Sequence, residues 1–178
     1  MNSFLEALQA DGPATDRADK MGLYAFLVGR WTYDATYHPS GAAIRTTRGE
    51  INAGWVLGGR AIQDVWRVPV SDLPRGDPPS SGKPEFGDYY GTTLRVYDPA
   101  LDAWHILWSD PLTQTYRRQI GRARGADIVQ DGRDEASGVH VRWSFSDITR
   151  DSFRWTGEVS PEGRTWTLLA DFRAKRMT

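Results

Sequence analysis

The sequence predicts an all-β fold: an up-and-down antiparallel barrel of about ten strands, preceded by a short N-terminal helix. Three observations carry that reading. Eight tryptophans fall within 178 residues, and Trp31, Trp66, Trp104, Trp108, Trp143, Trp155 and Trp166 each stand in a short run of aromatic and β-branched residues interleaved with polar ones. Such alternation is the mark of a strand with one buried face. The runs end at Gly, Pro, Asp or Ser, and most connections between them are of hairpin length.

Residues 1–15 read as a loosely held arm and residues 16–178 as one barrel domain. Between Asp16 and Leu27, the apolar residues Leu23, Phe26 and Leu27 recur at helical spacing, with Asp16 set to cap the helix and Gly29 to end it. The first strand runs from Arg30 to His38, with Trp31, Tyr33, Ala35 and Tyr37 on one face. Pro39-Ser40-Gly41 turns the chain into a second strand at 44–53, and Gly54 to Gly59 leads to a third at 60–68. Residues 69–88 hold five of the ten prolines and read either as a lid over one mouth of the barrel or as a tolerated surface insertion.

Seven further strands are expected near 91–97, 102–109, 113–121, 125–131, 138–147, 151–159 and 164–174. Turns at Asp98-Pro99, Asp110-Pro111, Asp131-Gly132 and Pro161-Glu162-Gly163 separate several of them. In the last strand Trp166, Leu168, Ala170 and Phe172 are expected to share the inner face.

Composition narrows the function. With 22 basic and 23 acidic residues the net charge is −1, so no bulk field attracts nucleic acid or an anionic membrane. The absence of cysteine excludes disulfides, thiolate metal sites and cysteine nucleophiles. The N-terminal residues lack the apolar core of a signal peptide, and no stretch approaches a membrane span. A cytoplasmic protein is expected, and a homo-oligomer is left open. The basic run Arg117, Arg118, Arg122 and Arg124 reads as a solvated hairpin tip rather than a strand-binding surface for nucleic acid.

An aromatic-lined barrel suits a small hydrophobic or aromatic ligand. Tyr33, Tyr37, Trp66, Trp104, Trp108, Trp143 and Trp155 are the candidate wall. Asp64 lies on the face of Ile62, Trp66 and Val68, and Arg118 on the face of Tyr116 and Ile120. A charge on an inner face needs a partner, so Asp64 and Arg118 either pair with each other or, with Tyr116, anchor the ligand. His38, His105 and His140 lack zinc-ligand spacing. Only His105 could face the interior, so haem on His105 is a minor alternative to a barrel without a cofactor. Neither a Gly-x-Ser-x-Gly elbow nor a correctly spaced phosphate loop is present.

The helix followed by Gly29-Arg30-Trp31 resembles the Gly-x-Trp signature that opens calycin barrels, the group of lipocalins, fatty-acid-binding proteins and nitrobindin-like proteins. Leu57 to Asp64, and Tyr97-Asp98-Pro99 followed by Trp104, are similar to segments of small bacterial lipocalin-like proteins. The resemblance implies that Trp31 closes the barrel floor and packs on an arginine of a late strand, with Arg173 or Arg154 in that role. It also implies that an inward arginine and tyrosine could hold a carboxylate, as in fatty-acid-binding proteins. Tyr33 and Ala35 occupy the later glycine positions of the nitrobindin-like haem opening, which is therefore absent. Because some calycin-like proteins are lyases, isomerases or cyclases, an enzyme using Asp64, Tyr116 and Arg118 is the alternative to a carrier. A third reading is an interaction protein whose barrel is filled by its own aromatics.

Overall fold

Ten consecutive alternating segments, each too short to bury its apolar face alone, close into one sheet. The computed structural model describes residues 3–41, 43–68 and 89–178. Its strands are β1 (Gln9–Ala10), β2 (Gly29–Tyr37), β3 (Arg45–Val56), β4 (Ala61–Val68), β5 (Tyr89–Asp98), β6 (Ala103–Asp110), β7 (Thr115–Arg124), β8 (Asp127–Arg133), β9 (His140–Ser146), β10 (Ser152–Ser160) and β11 (Thr167–Arg176). From β2 onward each strand pairs antiparallel with the next, and β11 returns to pair with β2. The result is the expected closed ten-stranded meander. Closure leaves these strands without the open edge that invites aggregation.

The segment expected as an arm carries a helix, α1 (Ser3–Leu8), and β1, which pairs with Val56 and Trp55 of β3. The connection 69–88, read as a lid or an insertion, lies outside the described residues. No helix among the described residues is long and apolar enough to cross a membrane.

The predicted helix is composite: a 3-10 turn at Thr15–Arg17, α2 (Ala18–Met21) and a second 3-10 segment at Gly22–Leu27. Asp16 does not cap it. Its carboxylate instead accepts two bonds from the Arg60 guanidinium, at 3.0 and 2.9 Å. This composite helix plugs one end of the barrel. Met21, Tyr24 and Leu27 are fully buried. The Tyr24 ring meets Trp104 edge-on at 5.1 Å, and Phe26 lies 5.5 Å from both Phe145 and Phe153. Outside the plug, Lys20 Nζ lies 2.9 Å from Asp102, whose carboxylate also accepts the Tyr97 hydroxyl at 2.6 Å.

The Gly-x-Trp segment then does what the resemblance implies, with a different arginine. Trp31 is fully buried and its indole N–H donates to the Leu27 carbonyl at 2.8 Å. The guanidinium of Arg176, not Arg173 or Arg154, lies 4.0 Å over the Trp31 ring. It also donates to the carbonyls of Phe26 and Val28, each at 2.9 Å. Arg176 is the cross-strand partner of Trp31 at the end of β11, where a long side chain can fold over the rim. Arg173 alternates outward between Phe172 and Ala174, and Arg154 is held by Asp171. Gly29 sits at φ +124°, and a Cβ there would lie 2.6 Å from the Arg176 guanidinium.

A second correction concerns Trp166. A register shift at Gly157/Glu158 pairs Gly157 with Ala170 but Glu158 with Leu168, so Leu169 is an extra residue. A bulge of this kind reverses the facing of everything before it. Trp166 therefore lies on the outer surface, under the Arg142 guanidinium at 3.9 Å and edge-on to His140 at 6.5 Å.

Two outcomes follow from the plug. Arg176→Met leaves two helix-end carbonyls without their charged donor and uncovers Trp31, so it should lower stability by about 3 kcal/mol in urea denaturation. The Tyr97 hydroxyl and Lys20 hold the Asp102 carboxyl below its ordinary value of 3.8. The stabilisation this gives is present above that value and is lost as pH falls through the lower folded value. Lys20→Met should therefore flatten the acid limb of a stability–pH profile and leave the neutral limb's slope unchanged.

Candidate functional site

The barrel interior divides into two halves along its axis. In the half that receives the plug, Ile51, Ile62, Trp104, Ile106 and Phe145 are completely buried. In the other half, inward positions carry a continuous aromatic arc. Trp108 meets Trp143 at 6.1 Å between ring centroids, Trp143 meets Trp155 at 5.6 Å, and Trp155 meets Trp66 at 5.9 Å. Phe172 lies 4.7 Å from Trp155 and stacks on Tyr33 at 5.0 Å, with Tyr37 edge-on at 5.4 Å. Glycines give the indoles room. A Cβ at Gly157 would lie 2.9 Å from the Trp155 ring, and one at Gly91 would collide with Trp108.

The exposure of this arc is its most informative property. Trp143 faces inward between the buried Val141 and Phe145, yet it is only partly buried, and so are Trp108 and Trp155. In a closed barrel, solvent reaches an inward side chain through an open end, and here the helix occupies the other end. The three tryptophans thus lie in the half opposite the plug and keep partial solvent exposure.

Polar groups share this interior. Asp64 faces inward as expected, but its partner is Arg95 rather than Arg118; both side chains are essentially without solvent exposure. Asp64 also accepts the Thr93 backbone N–H at 3.1 Å. The Arg95 guanidinium lies 5.3 Å from the Tyr24 ring, so the pair sits beneath the arc, against the plug. Arg117 is the cross-strand partner of Trp108 and shares its inner face, where Asp134 at the rim holds its guanidinium. Gln119 and Gln130 are buried on the same wall. The Trp66 indole N–H, in a residue 5 % exposed, has no acceptor among the described residues.

Of the residues predicted from sequence, Tyr33, Tyr37, Asp64, Trp66, Trp104, Trp108, Trp143 and Trp155 are brought to the inner face, with Trp104 in the plugged half. Tyr116 and Arg118 are not. Tyr116 is 58 % exposed and bonds to the Gln114 side chain at 3.1 Å, and Arg118 is exposed beside it. The reason is an inverted pattern: β7 turns Thr115, Arg117, Gln119 and Gly121 inward and Tyr116 and Ile120 outward. Strand β5 does the same, with Thr93 and Arg95 inside and Leu94 and Val96 outside. Sequence reasoning thus missed Arg95, Arg117, Gln119 and Gln130. No local sequence signal marks them, because their facing is set by pairing between strands, as where Trp108 pairs with Arg117 and not with Arg118. His105, considered as an interior ligand, lies outside, 2.9 Å from the Asp98 carboxylate. Among the described residues no three His, Asp or Glu side chains converge on a metal position.

The fold is a closed antiparallel ten-stranded barrel plugged at one end by a helix. Two solved structures share it. One is the crystal structure of Rv2717c from M. tuberculosis, at 11 % identity and a TM-score of 0.56, covering 89 % of this chain and 98 % of that one. The other is the S-type phycobiliprotein lyase CPES from Guillardia theta, also at 11 % identity and a TM-score of 0.56, covering 90 % of this chain and 96 % of that one. Identities this low speak to the fold alone. No protein-family model and no curated protein matches the sequence.

The replacement of Arg118 by Arg95 as the partner of Asp64 is measurable. Asp64→Asn strips a buried arginine of its counter-charge and should cost about 3–5 kcal/mol. Arg118→Ala should stay within about 0.5 kcal/mol of the parent in the same urea titration.

Proposed function

We propose that the protein is a calycin-like barrel, free in the cytoplasm, that binds a small, flat hydrophobic or aromatic molecule in the half opposite the helical plug. One observation carries this reading: Trp108, Trp143 and Trp155 face inward and are still solvent-accessible. Large indoles left half-wet inside a closed barrel are unfavourable unless something apolar covers them. Stacking and area burial against such walls favour flat ligands. Arg117 takes the anchoring role that sequence reading gave to Arg118, because it shares the inner face with Trp108 and stands near the mouth.

An enzyme on the same barrel is a second reading. It draws on the neighbour named a phycobiliprotein lyase and on the Arg117–Asp134 pair at the rim, where a carboxylate could handle a proton. A filled structural barrel is disfavoured by the wet indoles.

A native mass spectrum of the purified chain, compared with its denatured mass, tests for a resident ligand. Titration with the neutral aromatic probe 1-aminoanthracene tests the site directly. Trp143→Ala and Trp155→Ala should each weaken probe binding by about tenfold, whereas Trp166→Ala on the outer surface should leave it unchanged. No added mass, together with no probe binding, would overturn the carrier reading.

A further inference from the structure

The wall beneath the aromatic arc contains polar atoms that the chain itself does not satisfy. Both side-chain amide atoms of Gln130 lack a hydrogen-bond partner among the described residues, as do Gln119 Oε1 and the Tyr24 hydroxyl. Gln130 is 0 % exposed and Gln119 3 % exposed. Leaving such atoms unmatched away from water is costly, so a native interior supplies them with partners.

Their positions are fixed by backbone register. Gln130 lies directly opposite Trp143 on one side and Gly121 on the other. The space left by the missing side chain of Gly121 is where the Tyr24 hydroxyl reaches. Gln119 is held in place, with its amide N–H donating to the Gln130 carbonyl at 2.9 Å and its oxygen left unbonded. Register therefore places Gln130 beside Trp143 and beside the Gly121 position that the Tyr24 hydroxyl fills, with Gln119 on the neighbouring strand.

The chemistry of these groups specifies what would meet them. A glutamine amide presents a donor and an acceptor side by side, whichever way it is turned. Its complement is another planar edge with an acceptor beside a donor, as in a cis-amide, where two parallel bonds form. The surroundings are neutral overall, although Arg95 Nε also lacks a partner among the described residues. Arg95 and Asp64 neutralise each other, and burial pushes the Tyr24 phenol above its ordinary value, keeping it a neutral donor. An ionised head group would find no unpaired counter-charge there.

We propose that Gln130, with Gln119 and Tyr24, recognises a neutral cis-amide edge, of the lactam or cyclic-imide kind, on the buried end of a flat ligand held between the tryptophans. This inference rests on the carrier reading and names the class of ligand for that site. The outer end of the same ligand would face Arg117.

Calorimetric titration of the full chain with 2-quinolone, N-methyl-2-quinolone and naphthalene tests it. These three probes share one flat shape and differ in the edge. 2-Quinolone should bind about tenfold more tightly than its N-methyl analogue, which cannot donate. Gln130→Leu should erase that preference while naphthalene affinity is kept. Tyr24→Phe, which conserves the plug's shape, provides a second variant and should narrow the preference. Equal affinity for the two quinolones, or a preference that survives in Gln130→Leu, would overturn the inference. Equal affinity would also mean that internal water alone meets the glutamines. If naphthalene binds and neither quinolone does, the amide edge is wrong and the apolar slot stands. If none of the three binds, the carrier reading fails along with it.

Discussion

Closure of a ten-stranded meander is the constraint on which everything else in this molecule depends. A ring of eight strands encloses an interior that side chains can just fill, and the width grows with each added strand. Two more strands leave a core too wide to be packed from the walls alone. The chain meets this with a composite helix driven into one end, aromatic side chains at the inner positions, and glycines where two large rings would otherwise meet. Tyr24 can enter because Gly121 offers no side chain, and Trp108 and Trp155 lie flat because Gly91 and Gly157 do likewise. The plug in turn requires a latch. Arg176 supplies it by covering Trp31 and taking up two carbonyls at the end of the helix.

Filling one end concentrates the remaining free interior at the other. The division between a dry half around Phe145 and a half-wet arc around Trp143 is thus a consequence of strand number and a single plug. It does not depend on any one residue type. Fold similarity at 11 % identity to a phycobiliprotein lyase and to Rv2717c fits this, since the shared part is the container.

Strand number, order and hairpin turns were legible because period-two alternation and turn residues are local signals. The Trp31 floor was legible because its position after a helix is also local. What could not be read depends on relations between strands. The bulge at Gly157/Glu158 that turns Trp166 outward exists only in the pairing of β10 with β11. The choice of Arg176 over Arg173 and Arg154 depends on where β11 ends against β2. The composite helix lacks its expected cap because Asp16 pairs instead with Arg60, a residue of the β3–β4 connection.

The reversed facing of β5 and β7 is the deepest of these failures. Apolar-in, polar-out alternation holds where the only task of a face is to leave water. On this wall Arg95, Arg117, Gln119 and Gln130 point in while Leu94, Val96, Tyr116 and Ile120 point out. Burying those polar groups opposes folding, and placing Tyr116 in water forgoes a stabilising contact. The two reversed strands flank β6, and each brings in an arginine that a carboxylate meets, Arg95 by Asp64 and Arg117 by Asp134. Local rules of sequence fail on this wall because the pairing of each strand with its neighbours, and not its own alternation, sets which residues face inward.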